Sequence, residues 1–296
     1  MKILILGATG MLGHKILQKF KNNFTVTGTI RSEFKKESDH PLGKMNIINN
    51  VYADDFRTIE RAIEETYPDV IVNAIGIVKQ LPQASDPVVS ISINSLFPHL
   101  LAECCEKQDI RLIHYSTDCV FSGSKGNYSE EDFPDANDLY GRSKLLGEVT
   151  GHKCLTLRTS IIGRELSGSH GLIEWFLSQK GKTIKGYKNA IFSGLTTNAH
   201  ARILKEIILD YPNLEGLYHL ASDPISKYDL LTLVKKQYNM DINIEPDYHE
   251  VSDRSLNSSK LRLETNIVTP SWDEMVKEMF EDPTPYDLFR SHHANQ

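Results

Sequence analysis

This 296-residue chain has no basic excess: 33 lysines and arginines stand against 39 aspartates and glutamates, a formal net charge of −6. Binding nucleic acid in general requires cations to neutralise phosphates, so no nucleic-acid partner is expected. Cysteine is scarce. Cys104, Cys105, Cys119 and Cys154 form neither a CxxC pair nor a zinc spacing, which points to structural thiols in a reducing compartment. No His/Cys/Asp cluster has ligand spacing, so no metal is expected. Hydrophobic runs are short. "ILIL" near the N-terminus is broken by Gly7 and is too short for a signal peptide. No run approaches the roughly 20 residues of a membrane span. The expected location is the cytoplasm, with no membrane partner. Internal repeats and low-complexity segments are absent, and only "RSHHANQ" at the C-terminus reads as a frayed end.

In the first half, short β-branched and apolar runs alternate with amphipathic stretches. "KILIL" (2–6), "TVTGTI" (25–30), "VIVNA" (70–74), "RLIHYS" (111–116) and "CLTLR" (154–158) read as strands. In "DFRTIERAIEETY", Phe56, Ile59, Ile63 and Tyr67 recur at helical spacing. This alternation predicts an α/β fold, a doubly wound parallel sheet of the Rossmann type. A smaller mixed α/β C-terminal part would bind substrate. The expected division is 1–160 for the dinucleotide-binding domain, with 193–218 returning to it. Residues 161–192 and 219–296 would form the substrate part. Helices are expected at 171–180, 197–210, 226–236 and 271–280. Ser226 and Ser271 are candidate caps, the latter in a capping box with Glu274.

"KILILGATGMLGHKIL" places Gly7, Gly10 and Gly13 after a strand and at the opening of a helix. A tight turn, close approach of the backbone to a pyrophosphate, and close helix–strand packing each require glycine at one of these positions. The helix N-terminus offers free N–H groups to the phosphates. Thr9, Met11 and Leu12 complete this candidate cofactor loop. The second strand ends "GTIRSE", and its first charged side chain is Arg31 rather than an acid. An arginine there suits a 2′-phosphate, so NADP(H) is preferred over NAD(H), which stays possible. A solvated surface arginine is the alternative.

"YGRSK" puts Tyr140 and Lys144 four residues apart, on one face of a helix. Thr117, in "YSTDCVF", lies at the C-terminal edge of a strand, where open parallel sheets bind ligands. A carbonyl reduced by hydride develops negative charge on oxygen. A phenol with pKa near 10 exchanges protons poorly at neutral pH. A neighbouring ammonium lowers that value by stabilising the phenolate, and a hydroxyl holds the substrate oxygen. Thr117, Tyr140 and Lys144 are the expected catalytic residues, and Tyr140 and Lys144 are also expected to contact the cofactor.

This set resembles the extended short-chain dehydrogenase/reductases. "HYSTDCVFSGSKGNYSEED", "DLYGRSKLLGE", "LRTSIIG" and "DRSLNSSKLR" followed by "PSWDEMV" look like the dTDP-4-dehydrorhamnose reductase family, nearly end to end. The resemblance implies the same catalytic trio, with Asn94 as the associated helix asparagine or, alternatively, a packing residue. "NAIG" implies a cofactor stretch at Asn73, Ala74 and Gly76. "RTS" implies that Arg158, Thr159 and Ser160 lie beside the nicotinamide. Asn94 and Thr159 thereby join the expected cofactor contacts. Departures fall where substrate would be read: Cys119 stands where family members have tyrosine, Leu195 stands at a proline position, and "GIVKQLPQ" (76–83) differs. These suggest another sugar or nucleotide, such as a UDP-linked 2-acetamido sugar.

The function implied is NADPH-dependent reduction of the 4-keto group of a nucleotide-linked 4-keto-6-deoxyhexose, in making deoxysugar and surface-polysaccharide precursors. Lys79, Cys119, Val120, Phe121, Trp175, Phe192 and Arg254 are the candidate substrate contacts, with Arg254 first for the diphosphate. Alternatives are a sugar-nucleotide epimerase and a non-catalytic dinucleotide-binding regulatory subunit. The resemblance makes a homodimer possible.

Overall fold

A computed structural model describes residues 1–33, 40–80 and 82–293. Its strands are β1 (Lys2–Leu6), β2 (Thr25–Thr29), β3 (Asn46–Ile48), β4 (Val70–Asn73), β5 (Arg111–Thr117), β6 (Cys154–Thr159), β7 (Ile161–Ile162), β8 (Thr183–Phe192), β9 (Leu195–Thr196), β10 (Gly216–His219), β11 (Ile225–Ser226) and β12 (Asn243–Asp253). Seven form one sheet in the order β10-β6-β5-β4-β1-β2-β3. Every pairing in it is parallel. The order reverses between β1 and β4, which opens a crevice beyond their C-terminal ends.

Helices cover both faces. They are α1 (Met11–Phe20), α2 (Phe56–Thr66), α3 (Pro87–Ser90), α4 (Phe97–Lys107), α5 (Leu139–Leu146), α6 (Leu172–Leu177), α7 (Thr197–Asp210), α8 (Lys227–Gln237), α9 (Ser259–Thr265), α10 (Trp272–Phe280) and α11 (Tyr286–His293). Strand periodicity divides the core. In β1, Ile3 and Ile5 join a cluster with Ile16, Leu17, Leu204 and Ile207 of α1 and α7. Leu4 and Leu6 join a second cluster with Ile59, Ile63, Phe97 and Leu101 of α2 and α4. Both faces of the strand are thus buried, which is why "KILIL" reads as a continuous apolar run.

A π-helical turn, Ile91–Leu96, joins α3 to α4. The resulting stretch Pro87–Lys107 is, by length and composition, apolar enough to cross a membrane, contrary to the expectation that no such run exists. It packs against the sheet through buried Phe97, Leu101 and Cys105, as a core helix does. The smaller sheet, β11-β8-β12, lies outside the parallel one. β8 and β12 had no sequence signal: β12 includes Pro246, is mostly exposed, and shifts register between Asp247 and Val251. The helix α11 runs to His293, into the stretch expected to fray; the last three residues lie outside those described.

Among the described residues four histidines are fully buried, His14, His114, His200 and His219, and burial holds His114 well below the usual imidazole value. Burial lowers His14 and His200 to about 4 and, with Arg158 nearby, His219 to about 3. Each stays neutral in the fold but protonates in the unfolded chain below about 6.5. The unfolded state therefore binds more protons between those values, and stability falls as pH falls through that window. Each histidine contributes about 1.4 kcal/mol per pH unit to this slope. The denaturation midpoint is expected to drop steeply from pH 7 to 5, and replacing His200 by an isosteric neutral residue flattens the slope.

Candidate active site

The glycine loop leaves β1 at Gly7, whose φ of +85° is disfavoured for any residue with a Cβ. Gly10 occupies the N-cap position of α1, with no side chain capping the helix. The first amides of α1 are thus open to an anion. A Cβ on Gly13 would fall 2.1 Å from the Gly7 carbonyl oxygen. Only glycine lets α1 pack this close to the loop, so the residues present fit a dinucleotide pyrophosphate. Thr9 is exposed there, Met11 half-buried, and the Leu12 side chain is in the core, leaving its backbone for a ligand. Gly13→Ala is expected to weaken NADPH binding at least tenfold in a fluorescence titration and to cost about 1–3 kcal/mol of stability through overpacking.

Beyond β2, Arg31 and Ser32 are exposed at the strand's C-terminal end, and Arg31 has no ion-pair partner among the described residues. Asn73 ends β4. Its Oδ1 accepts from the Ile75 N–H at 3.1 Å and its Nδ2 lies 3.1 Å from His114 Nδ1, so the side chain braces the turn that shapes Ala74 and Gly76. Asn94 lies in the π-helical turn, a distortion frequent at functional sites. Its Oδ1 accepts from the Ile77 N–H at 2.9 Å; its Nδ2 donates to the Ile77 carbonyl at 3.1 Å and to Ser143 Oγ at 3.2 Å. Ser95 Oγ donates to the Ser143 carbonyl at 2.8 Å. The turn thereby docks the loop after β4 onto α5. Sequence reasoning missed Ser95 and Ser143, although Ser143 stands inside "YGRSK".

Asp138 caps α5, accepting from the Gly141 N–H at 2.7 Å. One turn separates Tyr140 from Lys144 on that helix. Lys144 is buried, and its Nζ donates to the Tyr115 carbonyl of β5 at 2.7 Å. Burial lowers its ammonium to about 8, with the Glu148 carboxylate opposing the fall. Burial pushes the Tyr140 phenol up, Cys119 adds to this, and Thr117 works the other way. This differs from the expectation of a lowered phenol: in this structure Lys144 is bonded to Tyr115, and the phenol is held protonated. Thr117 Oγ1 accepts from the Cys119 N–H at 3.1 Å and lies 3.2 Å from Asp118 Oδ1, to which it donates. The Tyr140 phenol lies against the Thr117 hydroxyl at the C-terminal end of β5, and the Lys144 ammonium is docked two residues earlier on the same strand, beside the crevice.

The other candidate residues divide into those near this point and those away from it. Arg254 Nε donates to the Phe121 carbonyl at 3.0 Å, and its charge acts on Asp118 and Cys119. Lys227, which the sequence did not single out, also acts on Asp118. Lys79 is spent on Asp138 at 2.8 Å, tying its loop to the start of α5. Val120 and Phe121 are fully buried; Phe121 stacks on Tyr128 at 4.1 Å. Phe192 is buried against Trp272 at 5.5 Å. These three side chains were expected at the sugar and are core instead, because aromatic and apolar residues near a site serve packing as readily as binding. Trp175 is partly exposed on α6. Thr159 Oγ1 lies 3.3 Å from His200 Nε2. Arg158 makes a buried bidentate pair with Glu148, at 2.8 Å on both oxygens.

The family model for the RmlD substrate-binding domain matches residues 1–284. The chain belongs to the RmlD substrate-binding-domain family. Among relatives, it is 34% identical over 150 residues to the "Probable low-salt glycan biosynthesis reductase Agl14" of Haloferax volcanii, a match covering 50% of this chain and 48% of that protein. It therefore spans about half the length of that relative. The dTDP-4-dehydrorhamnose reductase of Salmonella typhimurium is 23% identical over 308 residues, covering 95% of this chain and 98% of that one. Among solved structures, dTDP-4-dehydrorhamnose reductase from Bacillus anthracis in complex with NADP superposes with a TM-score of 0.79 at 19% identity, covering 94% of this chain and 98% of that one. That likeness shows a shared fold.

Proposed function

We propose that this RmlD-family chain is an NADPH-dependent reductase of the 4-keto group of a nucleotide-linked 4-keto-6-deoxyhexose. The observation that carries the reading is the placement of Thr117, Tyr140 and Lys144 at the end of β5, beside an uncapped helix N-terminus that fits a pyrophosphate. The named relatives are reductases, which supports the same reaction class. Bound NADPH supplies the hydride. The Thr117 hydroxyl holds the keto oxygen in place, and the protonated Tyr140 phenol gives that oxygen its proton. Lys144, as an ammonium, stabilises the phenolate left behind. Arg254 and Lys227 supply positive charge for the substrate's diphosphate. Arg31 suits the 2′-phosphate of NADPH, with NADH as the weaker alternative. A product of this kind belongs to the supply of deoxysugar donors for surface polysaccharides, made in the cytoplasm.

The test is NADPH absorbance decay with purified protein and dTDP-, UDP- and GDP-linked 4-keto-6-deoxy sugars. Turnover with one donor supports the reading and names the nucleotide. Tight NADPH binding without turnover of any keto sugar overturns it in favour of a dinucleotide-binding regulatory subunit. Turnover is also expected to fall as pH rises through about 8. Lys144 loses its charge there, since its lowered value is the first basic transition in the site. A rate constant that stays flat to pH 9.5 would remove Lys144's ammonium from the mechanism.

A further inference from the structure

Three consecutive residues of β5 are engaged by three residues of the α5 segment, one turn apart. Tyr140 faces Thr117. Lys144 Nζ donates to the Tyr115 carbonyl at 2.7 Å. Glu148, just past the helix end, accepts from Ser116 Oγ at 2.6 Å. The first two belong to the proposed reaction. Glu148 has no role in it, yet its carboxylate is buried in an ion pair with Arg158, one helical turn along from Lys144 and bonded to the residue of β5 next to the one Lys144 grips, and buried charge is retained only with strong partners.

Those partners are in place. Arg158 Nε and Nη2 reach the two Glu148 oxygens at 2.8 Å each. Arg158 is held in turn: its Nη1 lies 3.3 Å from His219 Nε2, and its guanidinium lies 5.3 Å from the Phe121 ring centroid. His219 Nδ1 lies 3.0 Å from the Tyr128 carbonyl, which fixes the tautomer with Nδ1–H donating and Nε2 free to accept. The carboxylate therefore has one orientation, set by β6, β10 and the loop after β5.

We infer that Glu148 is a positioning residue for the reaction, its clamped carboxylate keeping Lys144 docked on β5 as an ammonium. The inference rests on the reductase reading and deepens it. The charged and titratable groups facing Lys144 are few. Its own segment brings Tyr140 and Glu148. From β5 comes His114, held neutral by burial and by Lys144 itself. Arg158 of β6 reaches it only through Glu148. On the remaining side stand Gly76 and Asn94, both uncharged: a Cβ on Gly76 would lie 3.4 Å from Asn94 Oδ1 and 3.8 Å from Lys144 Nζ. Among the described residues Glu148 is thus the one anion that favours the charged lysine against burial. Without it, Arg158 would become a second unpaired cation in the same region, and both effects drive Lys144 toward the neutral amine.

Competitive trace acylation of Lys144, read by mass spectrometry across a pH series from about 6 to 10, measures its titration without any sugar. Glu148→Gln keeps the side-chain shape and removes the charge. Its labelling midpoint is expected at least one pH unit below that of the unaltered protein, with Glu148→Asp in between. The base limb of NADPH-dependent turnover moves down in step. If Glu148→Gln fails to fold, Glu148→Asp still decides, since its retracted carboxylate also lowers the midpoint. A folded variant whose Lys144 titrates as in the unaltered protein overturns the inference, whatever its melting temperature, because a purely structural ion pair changes stability and not the lysine. Absence of turnover in the unaltered protein would count against the reductase reading alone, and the labelling result would still stand.

Discussion

Tyr140→Phe is expected to lower the turnover of a cognate keto sugar by about 10²–10⁴-fold, the usual worth of a positioned general acid. In free energy this is about 3–5 kcal/mol of transition-state stabilisation. The phenylalanine ring fills the same space, so the change isolates the hydroxyl. Burial and Cys119 hold that hydroxyl protonated, which is the state a reductase needs before hydride transfer. NADPH affinity is expected within about threefold of the original, because the phosphate loop and Arg31 are elsewhere in the crevice. Thr117→Ala should cost less, since it removes a hydrogen bond to the developing alkoxide and not the proton itself. Two measurements decide: single-turnover rates under saturating NADPH, and fluorescence titration of NADPH. If Tyr140→Phe retained more than a third of the rate, another acid would have to donate, and Asp118 and Cys119 are the groups at hand. A variant that lost NADPH binding instead would show the hydroxyl acting on the cofactor.

The parallel sheet was legible in the sequence because buried strands must be apolar on both faces. "KILIL", "VIVNA" and "CLTLR" carry that mark. β3, three residues with none fully buried, does not. Nor do β8 and β12, whose outward positions are polar and whose pairing depends on residues some 60 positions apart. The spacing of Gly7, Gly10 and Gly13 and of Tyr140 and Lys144 marked the site because each follows from local geometry. The partners that hold the site do not follow from local geometry. Glu148 and Arg158 are ten residues apart and look like two ordinary surface charges until β5 and β6 pair. Asn94 and Ser143 meet across 49 positions, at a π-helical turn that no local sequence signal marks. Val120, Phe121 and Phe192 were misplaced for the converse reason: sequence gives proximity to the site but not the direction of a side chain.

The largest expected loss of stability lies away from the chemistry, where the chain's C-terminal segment crosses α1. Lys15 is a helix lysine with 1% of its side chain exposed, and its Nζ donates to Asp282 Oδ1 at 2.8 Å. The same ammonium donates to Gln18 Oε1 at 2.7 Å and to Thr284 Oγ1 at 3.0 Å. Burial works to raise the Asp282 carboxyl. Lys15, Thr284 and Asn198, whose Nδ2 donates at 2.7 Å, outweigh it and hold the group at about 2. A cation placed inside a protein is tolerable only with partners of this quality. Asp282→Ala leaves Lys15 buried and unpaired and is expected to cost about 3–5 kcal/mol, a large share of a total stability of about 5–15 kcal/mol. The double variant Lys15→Met with Asp282→Leu removes both charges and is expected to recover most of that loss. Equilibrium unfolding in denaturant at pH 7 measures both. His14 makes the consequence functional: its Nε2 lies 2.8 Å from the Tyr286 hydroxyl and its Nδ1 lies 2.8 Å from the Gly10 carbonyl. The C-terminal segment is thereby bonded to the residue that opens α1 toward the cofactor. Asp282→Ala should therefore weaken NADPH binding as well as stability, while the double variant, which keeps the Tyr286–His14–Gly10 chain seated, restores both. If Asp282→Ala unfolded as the unaltered protein does, Lys15 would have to be shedding its proton or reaching water, and the buried pair would not be what anchors this segment.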